Sequence, residues 1–206
     1  MVGRIMNLQG FVTSAKSNDI WSLGNQVLYD LCEKYPKHTC PEQIVAKIWL
    51  IGRSYAAAIE RRKNKTTEND IFYEKTVVRA IIQAKLDLKL EKLMKFTQIT
   101  DDSIIPILDI HKYLMAVFEK ITSLKKRSLV SKYLHFHFPD LFYIYDSRAM
   151  TALRKLQKGK RFKLPQCELD KEYATFFLRL HSLQKDIVKE TKVFLTPREM
   201  DRILLR

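Results

Sequence analysis

The stretch RSLVSKYLHFHFPDLFYIYDSRA, residues 127–149, combines an apolar helical run with an aromatic strip that ends in one carboxylate. Its first half has the periodicity of a packed helix, and Pro139 interrupts that run. The aromatic strip at 141–145 leads directly to Asp146, which precedes a second helical pattern beginning at Ser147. The segment therefore predicts two helices joined by a short aromatic connection, with Asp146 as the N-cap residue of the second helix.

Helical signals recur along the whole chain and predict an all-α protein with about eight helices. Glycine is absent from residues 53–158, which favours helices joined by short polar turns. A chain of 206 residues suits one compact domain over 1–206, or two lobes at about 1–98 and 99–206 with a cleft between them. We expect the helices at 21–31, 41–58, 71–94, 101–124, 129–138, 147–157, 169–191 and 197–204.

The positive charge is concentrated in the second half of the chain. The formal net charge is +14, and from residue 120 onward there are 20 Lys and Arg against 9 Asp and Glu. Such asymmetry predicts a polyanion partner, because each phosphate that a cation neutralises releases condensed counterions. The alternative is a solvated basic face that only keeps the protein in solution.

Several classes of protein do not fit the sequence. The cysteines, Cys32, Cys40 and Cys167, are odd in number and have no C-x-x-C spacing, so we expect neither a disulfide framework nor a metal site. No stretch approaches the roughly 18 apolar residues of a membrane span, and the N-terminus lacks the pattern of a secretion signal. We therefore expect a cytoplasmic monomer without a cofactor and without a membrane partner.

Asp146 is the residue whose surroundings best fit chemistry. A carboxylate at a helix start accepts backbone N–H bonds and lies at the positive end of the helix dipole, which favours its charged form. A fixed carboxylate can stabilise a sugar that becomes positively charged as its base departs, or can orient an attacking water. The alternative is that Asp146 only caps the helix, which is worth about 1 kcal/mol of stability.

The order of these features resembles the helix-hairpin-helix DNA glycosylase superfamily. A basic pair, Lys126 and Arg127, precedes the helix at 129–138, and the aromatic strip then leads to Asp146. The resemblance implies an all-helical, two-lobed fold that binds double-stranded DNA, with Asp146 catalytic and Lys126 at the place of the lysine of bifunctional members. The chain departs from the family at 121–128, ITSLKKRS, where the glycine hairpin is missing, so it resembles a divergent, hairpin-less member.

Candidate contacts with the substrate follow from this resemblance and from the charge. Tyr143 and Tyr145 adjoin the carboxylate and are candidates to stack on an extruded base, and Trp49 and Tyr55 are further candidates. The candidate DNA-binding residues are Lys125, Arg127, Lys132, Arg148, Lys158, Lys160 and Arg161. Lys126 and Lys132 are the amines that could act in a lyase step, but Arg127 matches the same family position and cannot, which favours monofunctional hydrolysis.

The sequence therefore predicts a DNA glycosylase-like enzyme that removes a modified or damaged base. The base is left open, and one hypothesis for the role is defence against phages with hypermodified cytosines. The main alternative is a non-enzymatic, basic helical protein that binds nucleic acid. A helical RNA-cleaving toxin ranks last, because Arg127 and His135 are too far apart for the arginine and histidine pair that such an enzyme needs.

Overall fold

The computed structural model describes residues 8–16 and 20–204, and these residues form ten helices and no strand. The prediction of an all-α protein is confirmed, but the helices number ten over the described residues instead of about eight. Helix α4 is continuous through an α turn Asn69–Ile71, a π segment Phe72–Val77 and an α segment Val78–Gln83, and α5 is Leu86–Leu90 followed by the 3-10 turn Glu91–Leu93. The others are α1 Leu8–Lys16, α2 Ser22–Lys34, α3 Pro41–Ser54, α6 Asp101–Thr122, α7 Arg127–His137, α8 Ser147–Leu156, α9 Lys171–Thr191 and α10 Pro197–Leu204.

Two features account for the difference in number. Helix α1 was not expected from the sequence, and the helix expected at 71–94 divides between α4 and α5 at Lys85, whose φ is 47°. Pro106 lies inside α6, beyond the first turn of the helix. Helix α6 begins with a capping box, in which the side chain and backbone of Thr100 exchange hydrogen bonds with Ser103.

Helix α7 is the centre of the fold. All residues from 129 to 136 are buried, and α7 packs against α2, α3 and α6. At the end of α3, a Cβ added at Gly52 would lie 3.2 Å from the Cα of Ala58 and 3.5 Å from the Cδ1 of Leu129. The first distance is shorter than most Cβ contacts, so a larger residue at position 52 would require the segment after α3 to shift.

The aromatic strip after α7 is extended but pairs with no strand. Two of its backbone groups bond to side chains of α7: the Tyr145 N–H donates to Ser131 Oγ at 2.9 Å, and the His135 ring donates from Nδ1 to the Phe142 carbonyl at 2.8 Å. Burial lowers the pKa of His135 to about 4, which keeps its ring neutral. Side chains of α7 thus hold the strip in the protein interior.

The C-terminal helices complete the structure around the end of this strip. Helix α8 packs against α9 and α10, and α1 packs against the same two helices. The start of α10 has the capping box that the sequence indicates, with the Thr196 N–H donating to Glu199 at 2.7 Å. Buried apolar residues from α1 to α10 form one continuous cluster. The division into two lobes with a cleft stays a prediction.

Candidate active site

Asp146 caps α8 as its position in the sequence indicates. Its backbone is extended, with φ −139° and ψ 145°, and its Oδ1 accepts the Arg148 N–H at 2.8 Å. The Arg148 Nε lies 3.5 Å from the same oxygen, and the Asp146 side chain is 27% exposed. The second oxygen, Oδ2, has no hydrogen-bond partner among residues 8–16 and 20–204. Asp146 is therefore a fixed carboxylate that remains partly open to solvent.

Lys132 is the cation that the fold brings to Asp146. Its side chain is buried on α7, where Nζ donates to Ser128 Oγ and lies 3.4 Å from the Tyr145 carbonyl oxygen. Burial lowers the pKa of the Lys132 ammonium, and the nearby Asp146 carboxylate acts in the opposite direction. A candidate DNA contact and the candidate catalytic carboxylate thus interact electrostatically, without a direct ion pair between them.

A second carboxylate, Asp201 of α10, lies at the same place and was missed by reasoning from the sequence. It is only 4% exposed, and its Oδ2 accepts a hydrogen bond from Arg198 at 3.1 Å. Burial, with a smaller contribution from the Asp146 charge, raises the pKa of Asp201 to about 6, although Arg198 and Lys132 act to lower it. A signal existed in the sequence, because residue 201 falls on the same helical face as the apolar Met200 and Leu204, where a charged residue is unexpected.

Tyr55 is the candidate base-binding residue that joins this group. Its ring centroid lies 5.6 Å from the Lys132 Nζ and 5.9 Å from the Arg198 Cζ, and its hydroxyl donates to Asn25 Oδ1 at 2.6 Å. The Tyr55 ring is half-buried, and Lys132 and Arg198 both lie close enough to be attracted to its π electrons. We call Tyr55, Lys132, Asp146 and Asp201 the Asp146 cluster.

The two tyrosines of the aromatic strip lie in the interior. Tyr143 is fully buried and donates to Gln184 Oε1 at 2.5 Å, and Tyr145 is 6% exposed and donates to Glu172. Tyr143 also packs edge-on against the ring of Phe177 at 5.0 Å. A base could reach either ring only after these contacts had opened.

The basic pair at the start of α7, Lys126 and Arg127, binds other partners. The Lys126 ammonium donates to the carbonyl oxygens of Ala58 and Arg61, and burial lowers its pKa to about 8. Arg127 forms two hydrogen bonds with Asp170, at 2.5 and 2.9 Å, and also an ion pair with Glu172. Both side chains are thus held by the protein itself, and neither has a contact with Asp146.

Trp49 lies in a different part of the surface. It is 42% exposed in a groove of about 960 Å³ between α3 and α4, and the Arg53 guanidinium lies 5.6 Å from its ring. The lining of this groove includes Tyr73 of the π segment but no member of the Asp146 cluster. The structure thus does not bring Trp49 together with the candidate carboxylate.

Exposed cations surround the start and end of α8. Arg148 is 83% exposed beside Asp146, and a depression of about 370 Å³ next to it is lined by Ser147, Thr151 and Lys155. Lys125 is also exposed, before α7. After α8, Lys158 and Arg161 are exposed, whereas Lys160 forms an ion pair with Asp186 at 2.7 Å.

Two further searches limit the chemistry of the described residues. Residues 8–16 and 20–204 contain no group of three or more His, Cys, Asp or Glu side chains placed to hold a metal ion. None of the helices within these ranges has the length and apolar character needed to cross a membrane. Comparison of the chain with known protein families, with curated proteins and with solved structures finds no match.

Proposed function

We propose that this chain is a DNA glycosylase-like enzyme that hydrolyses the N-glycosidic bond of a modified or damaged base, with Asp146 as the catalytic carboxylate. The observation that carries the proposal is the position of Asp146 next to the buried Lys132, whose Nζ lies 3.4 Å from the carbonyl oxygen of the preceding residue, Tyr145. A partly exposed carboxylate is fixed at a helix start, and a buried cation lies beside it.

In the proposed reaction the base departs with the bonding electrons, and the sugar becomes positively charged. The Asp146 carboxylate stabilises that charge, and Oδ2 is the oxygen free to act because Oδ1 is occupied by the Arg148 N–H. Water then adds to the sugar, and the proton that it loses neutralises the departed base, which completes hydrolysis. No covalent step is assigned to Lys126, because its amine is bound by two carbonyl groups.

The charged surface supports DNA as the substrate. Arg148 and Lys155 flank the depression beside Asp146, and Lys158 and Arg161 extend the row of cations after α8. Cations in such a row can follow a phosphate backbone while the target nucleotide is extruded toward the carboxylate. Tyr55, whose ring centroid lies 5.6 Å from the Lys132 Nζ, is then the aromatic ring proposed to contact the base, since Tyr143 and Tyr145 lie in the interior.

The test is incubation of the protein with a panel of DNAs that carry alkylated purines, oxidised bases or hypermodified phage cytosines, scored for alkali-labile abasic sites. Asp146→Asn should reduce base release by at least ~100-fold, and asparagine should keep the fold because it also caps helices well. The matched control is Asp140→Asn, which alters an exposed aspartate of the same connection. Undiminished base release by Asp146→Asn would refute the proposal.

The second candidate is a nucleic-acid-binding protein without enzymatic activity, and the exposed cations after α8 favour it. It predicts salt-sensitive binding to DNA and no base release from any member of the panel. Because both functions use the same basic surface, the scoring of abasic sites is the measurement that separates them.

A further inference from the structure

Helix α2 exposes apolar side chains along one side. Ile20, in the turn before the helix, Leu23 and Val27 are 90%, 78% and 54% exposed, and the exposed Gly24 lies among them. Positions 20, 23, 24 and 27 have the spacing of one helix face, and we call these four residues the α2 face. The residues that α2 buries lie on the other side of the helix and are Asn25, Leu28 and Cys32.

Gly24 has open space beside it. No heavy atom of residues 8–16 and 20–204 lies within 4 Å of a Cβ built at this position, so alanine would fit the single chain without a clash. Glycine in the middle of a helix is less favourable than alanine, because it loses more conformational freedom on folding. What glycine offers in return is the close approach of another backbone or side chain. The geometry thus suits a second helix that crosses α2 at Gly24.

The charge of α2 differs from that of the chain as a whole. Residues 20–33 contain no Lys or Arg and two carboxylates, Asp30 and Glu33, whereas the formal net charge of the chain is +14. Two copies of so basic a chain repel each other over most of their surface, so they approach best through a segment without cations. A polyanion or an anionic lipid surface, by contrast, requires cations. The charge therefore favours a second copy of this chain as the partner.

The exposed area suits a small symmetric interface. Trp21, which adjoins the α2 face, is 68% exposed. Together with the three apolar side chains of the face it exposes on the order of 500 Å², at the upper end of what monomeric proteins expose as one patch. Two copies would bury about 1,000 Å², which is the lower limit for a specific interface and corresponds to a dimer of micromolar affinity.

We infer that the α2 face is a homodimer interface, in which two copies of α2 cross antiparallel about a two-fold axis near Gly24. The four positions are symmetric about their middle, so Ile20 meets the partner subunit's Val27, and Leu23 meets the partner subunit's Gly24. Such a contact closes on itself and stops at the dimer. A dimer departs from the monomer expected from the sequence. No residue of the α2 face belongs to the Asp146 cluster, so the inference does not depend on the proposed function.

Sedimentation velocity of the full chain, from about 1 to about 200 µM, tests the inference. The mass should rise with concentration from 24.4 kDa toward twice that value. Leu23→Glu places a charge in the contact from both copies and should weaken association at least ~10-fold. Leu88→Glu, which alters a leucine of α5 that is 58% exposed, is the matched control and should associate like the native chain.

Three outcomes of this experiment would overturn the inference. A native chain that stays at 24.4 kDa would leave the α2 face to a different partner. Undiminished association of Leu23→Glu would place the contact elsewhere. Growth beyond the dimer would show a contact that does not close on itself.

Gly24→Ala separates the contact from the stability of the helix. In dilute solution, where the chain is monomeric, alanine should raise the Tm by about 2 °C, because it favours the helix. At high concentration it should weaken association by roughly 5-fold, because its Cβ takes the space of the partner subunit's Leu23. A Gly24→Ala protein that associates as well as the native chain would overturn the close crossing at Gly24.

Tryptophan fluorescence locates the contact. The chain has two tryptophans, so Trp49→Phe leaves Trp21, beside the α2 face, as the single reporter. Its emission should shift to shorter wavelength over the concentration range in which the mass doubles. In Trp21→Phe the remaining Trp49, in the groove between α3 and α4, should show no shift. A doubling of mass without a shift of the Trp21 emission would mean that the copies meet at another surface, and would overturn the inference.

Discussion

Arg127 and Asp170 form a bidentate ion pair at the start of α7, with Nε and Nη2 donating to the two carboxylate oxygens at 2.5 and 2.9 Å. The Arg127 side chain is 14% exposed and that of Asp170 is 7% exposed. The pair ties the central helix to the start of α9, so its first effect is on stability.

Replacing Arg127 by alanine should therefore destabilise the protein. The change leaves the Asp170 carboxylate buried without its partner, which costs about 3 kcal/mol in free energy of unfolding, measurable by urea denaturation. Lys125→Ala, at an exposed neighbouring position, should change that free energy by less than about 0.5 kcal/mol. A stable Arg127→Ala protein with weakened DNA binding would show instead that Arg127 is mainly a DNA contact.

A buried histidine should make the fold sensitive to acid. The His38 ring donates to Asp87 at 2.6 Å and contacts the Tyr133 hydroxyl at 2.8 Å, and burial lowers the pKa of His38 to about 4. Because the unfolded chain binds this proton near pH 6.5 and the folded chain does not, stability is lost as the pH falls from about 6.5 to about 4.

His38→Gln isolates this contribution. The variant should be less stable than the native chain at pH 7, because it loses hydrogen bonds. The difference in free energy of unfolding between the two proteins should decrease by up to about 3 kcal/mol on acidification to pH 4. Other buried histidines titrate in both proteins, so the difference between the two denaturation series reports on His38. A difference in stability that does not depend on pH would mean that His38 has the same pKa in the folded and unfolded chains.

The sequence predicts most of the helices because helical periodicity and capping residues are local signals. The capping box at Thr196 and the role of Asp146 as a cap follow from neighbouring residues, and both are present in the structure. The break at Lys85 was not predictable in this way, since that residue has no glycine-like signal and adopts φ 47° in its tertiary setting.

The site was only partly predictable for a physical reason. Periodicity identifies which residues face the core, but it does not say which buried cation meets which carboxylate. Of the two candidate lysines, Lys132 lies 3.4 Å from the carbonyl oxygen of Tyr145, the residue before Asp146, whereas Lys126 binds carbonyl groups of another loop. Asp201 completes the Asp146 cluster from the last helix, and only the packing of α10 on α8 brings it there.

Tyr143→Phe tests whether the aromatic strip is structural. The Tyr143 hydroxyl donates to Gln184, whose side-chain N–H in turn donates to the Leu195 carbonyl at 2.6 Å. Removing the hydroxyl leaves Gln184 Oε1 buried with one bond fewer, so the free energy of unfolding should fall by about 1 to 2 kcal/mol.

DNA affinity and any base release by Tyr143→Phe should be unchanged at a temperature where the variant is folded. Tyr55→Phe is the comparison, because Tyr55 lies beside Lys132 in the Asp146 cluster. Loss of base release in Tyr143→Phe alone, without loss of stability, would indicate that the strip opens to receive a base.

The cations after α8 should not contribute equally to DNA binding. Lys158→Ala and Arg161→Ala should each reduce the slope of log affinity against log salt by about 1, measured by fluorescence anisotropy on duplex DNA. Lys160→Ala should reduce it less, because its ammonium already pairs with Asp186 at 2.7 Å. Equal effects of all three changes would show that the Lys160 pair opens on binding.

Relative to the native chain, Asp201→Asn should have a higher free energy of unfolding at neutral pH than at acid pH. The folded-state pKa of Asp201 is raised to about 6, above its ordinary value of 3.8, so the folded chain binds this proton more tightly than the unfolded chain. Folding is therefore penalised as the pH rises from about 4 to about 6, and the penalty of about 3 kcal/mol persists above that range. The Asp201→Asn variant lacks this charge. Its free energy of unfolding relative to the native chain should therefore increase by about that amount between pH 4 and pH 7, as measured by urea denaturation. Asp109→Asn, which alters an exposed aspartate of α6, is the control and should show no such dependence. A constant difference for Asp201→Asn would mean that Asp201 is paired well enough to ionise normally.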